Sequence, residues 1–195
     1  MYQSDAPFTA HILPESYPPQ KHGKIFPVKC DISDNDDITA LVSKIEAELG
    51  FINILINNAG VINNILPSPL PKDLKERQAV LWNTTNAGDF DKTFQINVRS
   101  QYFVSVAFMQ LLAAGNAKTA ERGLTSQVIT VASIGGLRRD DESLNISYST
   151  SKAAAIHLGK LLTNFFRDYQ IRSNVICPGV FPSGEFKARK EKQIR

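Results

Sequence analysis

The 195-residue sequence predicts an α/β fold with a parallel β-sheet, and three observations carry this prediction. Short apolar segments alternate with amphipathic segments of helix length, which is typical of successive β-α-β units. Two apolar segments, NILI at 53–56 and QVITV at 127–131, are almost continuous, as expected for strands covered on both faces. Polar or glycine-containing turns follow these strands, so candidate functional residues fall at the sheet edge where ligands bind in this class.

The elements alternate along the chain in an order that fits this class. The segment KIFPVKCDI (24–32) predicts a short strand that Pro27 weakens, because proline has no amide to donate. Residues 33–49 predict a helix, since Ser33 or Asp34 is a suitable N-cap, apolar residues recur on one face and Gly50 follows. The remaining predicted elements are a strand at 52–60 that ends in a polar turn, a Pro-rich insertion at 61–88 with a short helix near 72–82, a helix at 89–114, a strand at 126–136 that runs into small residues, a helix at 148–168 and a strand at 171–179.

Composition and charge narrow the classes of function. The net charge is +3, and basic residues cluster only in the tail at 185–195, which we interpret as a solvated terminus and not as a nucleic-acid site. No apolar run approaches the ~20 residues that span a bilayer, and the N-terminus lacks the features of a secretory signal. We therefore expect a cytoplasmic protein with an irregular lead-in at 1–22, one domain at 23–184 and the polar tail.

The sequence offers no metal site. Cys30 and Cys177 are far apart and form no ligand cluster, so we interpret them as small core residues. His157 lies within a predicted helix and has no partner at ligand spacing. The chemistry is therefore sought among hydroxyl, amide and ammonium groups.

The pattern Tyr-x-x-x-Lys occurs twice, at Tyr17–Lys21 and at Tyr148–Lys152. Residues four apart share a face only on a helix. Two prolines follow Tyr17 and disfavour a helix there. Tyr148 instead opens a segment with helical apolar periodicity, so its phenol and the Lys152 ammonium can meet.

A phenol beside an ammonium group can serve as an acid or a base. The reference pKa of a phenol is about 10, and a nearby cation favours the phenolate and lowers that value. Such a hydroxyl can donate a proton to a carbonyl under reduction or accept one from an alcohol under oxidation. Ser133, at the end of a predicted strand, can hydrogen-bond the same substrate oxygen. Taken alone, Ser133 and Tyr148 also fit structural roles in a strand turn and a helix start.

Five short motifs occur in a characteristic order: NNAG at 57–60 after a strand, INV around Asn97, Ser133 after VITVA, YSTSK at 148–152, and NVICPG at 174–179. In this order they resemble the short-chain dehydrogenase/reductase family over residues 23–184. That family transfers hydride between NAD(P)H and a carbonyl or alcohol, and its fold is a Rossmann-like doubly wound parallel sheet. The resemblance implies a small-molecule carbonyl or alcohol substrate and no partner among nucleic acids or membranes.

The resemblance also implies a role for each matching residue. Tyr148 would exchange the proton, Lys152 would bind the nicotinamide ribose and lower the phenol pKa, and Ser133 would orient the substrate oxygen. Asn97 would hold a water in a proton relay. The helices near 89–114 and 148–168 would form dimer or tetramer interfaces. The implied cofactor is NADP or NAD, with contacts to Tyr148 and Lys152, to Asp31 at the adenine, to Asn58, Ala59 and Gly60 alongside, and to Pro178, Gly179, Val180 and Ser183 over the nicotinamide.

The sequence departs from the family pattern before the first motif. The family has a Thr-Gly-x-x-x-Gly-x-Gly turn, which lets the cofactor pyrophosphate approach a helix N-terminus. Here the first two glycines are Gly23 and Gly50, so that turn is absent, and the first two strands and the last strand have no counterpart. We expect an incomplete doubly wound sheet. Three arrangements remain open: strand 24–32 pairs directly with strand 52–57, residues 1–22 partly fill the gap, or the fold is compromised.

Three functions are consistent with these features. The first is an NAD(P)-dependent oxidoreductase that uses Tyr148 as its general acid or base. The second is a catalytically inactive relative that interacts with partners through its two long helices. The third is a nucleotide-binding module without turnover.

Overall fold

The computed structural model describes residues 25–63, 65–84, 86–139 and 145–179. Within these residues three parallel strands form one sheet in the order β1-β2-β3. The register places Ile54 beside Gln127, and Gln127 beside Arg172. The predicted α/β class with a parallel sheet is therefore confirmed. The strands are β1 (Ile54–Asn57), β2 (Gln127–Val131) and β3 (Arg172–Ile176).

Helices connect and flank the strands. Asp34 caps the first of them, as its side chain accepts a hydrogen bond from the amide of Asp36, and Gly50 follows this helix with a φ of 74°. The α-helices are α1 (Asn35–Glu48), α2 (Leu74–Thr84), α3 (Ala87–Phe94), α4 (Ser100–Ala107), α5 (Met109–Thr119) and α6 (Ile146–Phe166). Short 3₁₀ turns follow α5, β2 and α6, at Ala120–Arg122, Ile134–Gly136 and Arg167–Tyr169.

The helix predicted at 89–114 is interrupted twice. A π-helical turn at Gln95–Arg99 separates α3 from α4, and Phe108, with a ψ of 1°, separates α4 from α5. A π-turn adds one residue to a single turn and shifts the positions after it by about 100°, and the sequence prediction of one continuous helix did not include this shift. The consequence lies at Asn97, which the π-turn buries completely.

The core lies between one face of the sheet and the helices. Val128 at the centre of β2 is fully buried, as are Leu112 of α5 and Leu162 and Phe166 of α6. The core cluster also includes Ile38, Val104, Phe108, Leu111 and Ile171.

Gly115 lets α5 approach the backbone that precedes β1. A methyl group at this position would lie 2.1 Å from the carbonyl oxygen of Ile52 and 2.7 Å from Ser126 Oγ. We expect Gly115→Ala to lower the free energy of unfolding by about 2 kcal/mol, because the clash outweighs the gain in helix propensity. Urea unfolding measures this change. The control is Gln110→Ala, at an exposed position of α5 five residues before Gly115. A Gly115→Ala variant as stable as the control would contradict the close approach.

The prediction of a strand at 24–32 is wrong for the residues that the structure describes. Residues 25–31 have no regular secondary structure, and Ile25 and Phe26 are 75% and 71% exposed. Pro27 removes one amide that a strand would need, and no described strand lies beside this segment. Direct pairing of 24–32 with 52–57 is therefore excluded.

The described helices leave one face of the sheet uncovered, although the apolar strand sequences predict cover on both faces. Ile54 and Ile56 of β1 are 53% and 57% exposed, and Ile176 of β3 is 49% exposed. Right-handed crossovers that run the same way along a sheet leave both connecting helices on one face. The described crossovers, β1 to β2 and β2 to β3, run the same way, so the strand sequences are apolar on a face that the described helices do not reach.

Several predicted segments lie outside the described residues. They are the lead-in at 1–22, the polar tail at 185–195, and the positions Val180 and Ser183. Among the helices that are described, none combines the length and the apolar character needed to cross a membrane.

Candidate active site

Ser133 lies just beyond the carboxyl end of β2, at the start of a 3₁₀ turn. Its backbone is extended and its hydroxyl oxygen accepts a hydrogen bond from the amide of Gly135 at 3.1 Å. A methyl group at Gly135 would lie 3.4 Å from Ser133 Oγ and 3.6 Å from Cε1 of Tyr148. The Ser133 hydroxyl and the Tyr148 ring therefore flank the same small space, although fifteen residues separate them in the sequence.

Asn145 begins the helix that carries Tyr148. Its side-chain oxygen accepts a hydrogen bond from the amide of Tyr148 at 2.8 Å, which makes Asn145 the N-cap of α6. The helix starts two residues before the predicted start at Tyr148. Tyr148 consequently sits in the first turn and is half-buried.

Lys152 follows one turn later on the same face of α6. Its Nζ lies 5.7 Å from the centroid of the Tyr148 ring and donates a hydrogen bond to the carbonyl oxygen of Val131 at 2.8 Å. Lys152 is only 4% exposed. This burial, opposed in part by attraction to Cys177, lowers the pKa of Lys152 to about 8. The predicted meeting of the two side chains is present in the structure.

Asn97 and Lys152 converge on the turn after β1. A methyl group at Gly60 would lie 3.2 Å from Asn97 Oδ1 and 3.3 Å from Lys152 Nζ. Asn97 accepts a hydrogen bond from the amide of Val61 at 2.8 Å and donates one to the carbonyl oxygen of the same residue at 2.9 Å. It also donates to Ser151 Oγ at 3.0 Å. The side chain of Asn97 thus joins the turn after β1 to α6.

The segment after β3 joins the same site through its backbone. The carbonyl oxygen of Pro178 accepts a hydrogen bond from the amide of Ile134 at 2.9 Å, next to Ser133. Gly179 is exposed, and a methyl group there would meet no atom within 4 Å. Gly136 lets the turn after β2 touch α6, because a methyl group there would lie 2.7 Å from the amide nitrogen of Ala153. All three strand ends therefore contribute to one region.

Asp31 lies in the segment before α1 and lines a different cleft. It lines an open cleft of about 550 Å³ with Ser33, Asp34, Asn35, Arg99 and Phe103. The amide and hydroxyl of Ser33 donate to the Asp31 carboxylate, both at 2.8 Å, and these bonds hold its pKa below the usual value. Asp31 is therefore an ionised acceptor at neutral pH.

The residues predicted to lie alongside the cofactor differ in how exposed they are. Asn58 and Gly60 are exposed, and Ala59 between them is half-buried. His157 is exposed on α6, and within the described ranges no three His, Cys, Asp or Glu side chains gather as a metal-ion site would require. The sequence prediction did not include Asn145 or Ser151. The position of Asn145, three residues before Tyr148, is a signal for a helix cap, and Ser151 lies within the motif YSTSK.

Comparison with curated proteins finds relatives among fungal dehydrogenases. The chain is 34% identical to short-chain dehydrogenase/reductase VdtF of Byssochlamys spectabilis, over 87% of this chain and 61% of that protein. It is 38% identical to PhomF of Diaporthe leptostromiformis, a protein with the same family designation, over 84% of this chain and 55% of that protein. The chain thus spans a little over half the length of these relatives.

Solved structures show the same fold. An NAD⁺-bound xylitol dehydrogenase matches with a TM-score of 0.65 and 24% identity, over 84% of this chain and 54% of that chain. The RhlG/NADP active-site complex of Pseudomonas aeruginosa matches with a TM-score of 0.67 and 24% identity, over 84% of this chain and 56% of that chain. The sheet and helices described above are therefore part of a Rossmann-like fold. Since the short chain dehydrogenase family model also matches residues 13–194, the chain belongs to the short-chain dehydrogenase/reductase family.

Proposed function

We propose that this chain is, or forms part of, an NAD(P)-dependent oxidoreductase that reduces a small-molecule carbonyl or oxidises the corresponding alcohol. The observation that carries the proposal is the group of Ser133, Tyr148 and Lys152 at one sheet edge. The buried Lys152 ammonium lies 5.7 Å from the centroid of the half-buried Tyr148 ring, and this ring and the Ser133 hydroxyl both border the space at Gly135. An acid, a hydrogen-bond donor and a nearby cation together favour proton transfer to a carbonyl oxygen.

The residues of the site fit the nicotinamide end of such a cofactor. Gly60 keeps the surface in front of Asn97 and Lys152 free of a side chain, and Lys152 can bind a ribose hydroxyl. Asp31 offers an ionised acceptor for the amino group of an adenine. Asn58, Ala59 and Gly60 would lie alongside, with Pro178, Gly179, Val180 and Ser183 over the nicotinamide. The glycine-rich turn that binds pyrophosphate in the family has no counterpart in the 195 residues.

The cofactor would supply the hydride, and the protein groups would handle the proton. Tyr148 would donate its hydroxyl proton to the substrate oxygen as negative charge develops there. Ser133 would hold the same oxygen by a second hydrogen bond, and the Lys152 ammonium would stabilise the phenolate that remains. Asn97 would retain a water through which the proton is replaced. In the direction of oxidation the same groups act in reverse.

Cofactor choice and compartment belong to the same proposal. We favour NADP over NAD on family grounds, and competitive binding of the two measures the preference. Cys30 and Cys177 are both free thiols, which supports a reducing compartment such as the cytoplasm. Fluorescence microscopy of the tagged protein tests that location.

We also propose that the chain forms a homodimer or homotetramer through α4 and α6. Both helices expose large apolar side chains. These are Tyr102 and Val106 of α4, and Leu161 and Phe165 of α6. Such patches indicate contact with another protein surface, and sedimentation equilibrium would show a mass of two or four chains.

A titration of NADPH fluorescence, followed by a screen of carbonyl substrates, tests the function. Binding together with carbonyl-dependent oxidation of NADPH supports the oxidoreductase. Binding without turnover favours the nucleotide-binding module. The absence of binding at millimolar NADPH overturns both and leaves an interaction protein.

A further inference from the structure

Asn145 makes contacts that a helix cap alone does not need. Its Oδ1 accepts the amide of Tyr148 at 2.8 Å and the hydroxyl of Ser147 at 2.6 Å. Its Nδ2 also donates a hydrogen bond to the carbonyl oxygen of Asn63, which lies in the loop after β1 and 82 residues away in the sequence. The side chain of Asn145 is fully buried, so it cannot exchange these partners for water.

Asn145 and Asn97 both hydrogen-bond the loop at 61–63, Asn145 at its end and Asn97 at its start. The two hydrogen bonds between Asn97 and Val61 fix the first residue after Gly60, and the bond from Asn145 fixes Asn63 two residues later. Asn97 also contacts Ser151, whose hydroxyl donates to the carbonyl oxygen of Tyr148 at 2.7 Å. Hydrogen bonds therefore connect the loop to the N-terminal part of α6 twice, directly from Asn145 and through Asn97 to Ser151.

We propose that Asn145 is a positioning residue: it caps α6 and at the same time fixes the place of Tyr148 relative to the loop at 61–63. The inference rests on the proposed oxidoreductase function for its effect on turnover. The hydrogen bond from Asn145 to Asn63 is important because the loop at 61–63 continues from Gly60, which faces Lys152 and Asn97. A small shift between the loop and the helix start would change where the phenol lies relative to a substrate oxygen.

Asn145→Asp separates the two functions of this side chain. Aspartate caps a helix about as well as asparagine, so the bond to the Tyr148 amide is kept. The carboxylate cannot donate to the Asn63 carbonyl oxygen, and the two oxygens repel each other. Thr150→Ala is the matched control, because Thr150 is exposed in the first part of α6 and its hydroxyl donates only to carbonyl oxygens of its own helix, at Ile146 and Ser147.

Two measurements on the full chain test the proposal. For Asn145→Asp we expect kcat to fall about tenfold or more with the Kd for NADPH unchanged, whereas Thr150→Ala keeps the kcat of the unmodified chain. Amide exchange by NMR should become about tenfold faster at Val61 but stay within about threefold at Tyr148. A purely structural cap would leave both kcat and Val61 exchange unchanged in Asn145→Asp.

The outcomes distinguish this proposal from the proposed function. If the unmodified chain turns over substrate, an Asn145→Asp variant with unchanged kcat or unchanged Val61 exchange overturns the role of Asn145. If the unmodified chain shows no turnover, the proposed function fails, and Val61 exchange alone decides whether Asn145 holds the loop.

Discussion

Replacement of Tyr148 by phenylalanine is expected to reduce kcat by about 10²- to 10⁴-fold, the usual contribution of a general acid. The change removes one oxygen atom from a half-buried ring in the first turn of α6 and leaves the ring contact with Lys152 in place. The free energy of unfolding and the Kd for NADPH should therefore stay close to those of the unmodified chain. Steady-state reduction of a carbonyl substrate, with urea unfolding in parallel, measures both.

Tyr169→Phe is the matched control, because Tyr169 is 54% exposed and follows the far end of the same helix. It makes the same chemical change without touching the candidate site, so its kcat should equal that of the unmodified chain. A Tyr148→Phe variant that keeps full kcat would show that the phenol is not the proton donor. The observed activity would then require another acid.

Lys152 is expected to make both turnover and stability depend on pH. Burial lowers its pKa in the folded chain to about 8, from a reference value of 10.5. Between these two values the unfolded chain binds more protons than the folded chain, so the free energy of unfolding rises with pH. The full change attributable to this group is on the order of 3 kcal/mol. It is complete above the unfolded pKa and absent below about pH 8.

Lys152→Met removes this titration and the ammonium group together. We expect the rise in stability between pH 8 and 10.5 to become smaller in the variant than in the unmodified chain, and kcat at pH 7 to fall about 10²-fold or more. For the unmodified chain, kcat/KM for reduction should fall as the pH rises through about 8, because the ammonium group is lost. Urea unfolding at several pH values and a pH–rate profile measure the two effects.

Lys160→Met provides the comparison, since Lys160 is exposed on the same helix and lies outside the candidate site. Its stability profile should follow that of the unmodified chain. Parallel profiles for Lys152→Met and the unmodified chain would mean that Lys152 is not desolvated in the folded state. A rate that stays constant through pH 8 would separate turnover from the charge of Lys152.

The parts of the candidate site that depend on spacing within one helix or on the position of strand ends could be predicted from the sequence. A helix places residues four apart on one face, so the meeting of Tyr148 and Lys152 follows from the sequence. Parallel strands place their carboxyl ends at one edge, so the proximity of Ser133 and the segment around Pro178 follows from the order of elements. The roles of these residues remain proposals that the experiments above test.

Other features could not be predicted because they depend on long-range contacts. Asn97 lies in a π-turn, and its buried side chain is hydrogen-bonded to Val61 and Ser151, 36 and 54 residues away in the sequence. The apolar residues of 25–32 suggest a strand, but a strand needs a neighbour, and no described strand lies there. The sequence does not single out Asn145, and only the fold shows that it caps α6 and reaches Asn63.

Sequence patterns predict the α/β class, the parallel sheet, the helix that carries Tyr148 and Lys152, and the family resemblance. The first three depend on hydrophobic periodicity, on spacing within one element and on the order of elements, and the resemblance depends on five motifs in order. The three-dimensional fold was needed to show that Lys152 is buried, that the described helices leave one face of the sheet exposed, and that Asn97 and Asn145 both hydrogen-bond the loop at 61–63. The burial of Lys152 and the hydrogen bonds of Asn97 and Asn145 involve residues distant in sequence. They therefore depend on how the chain packs and not on the residue type alone.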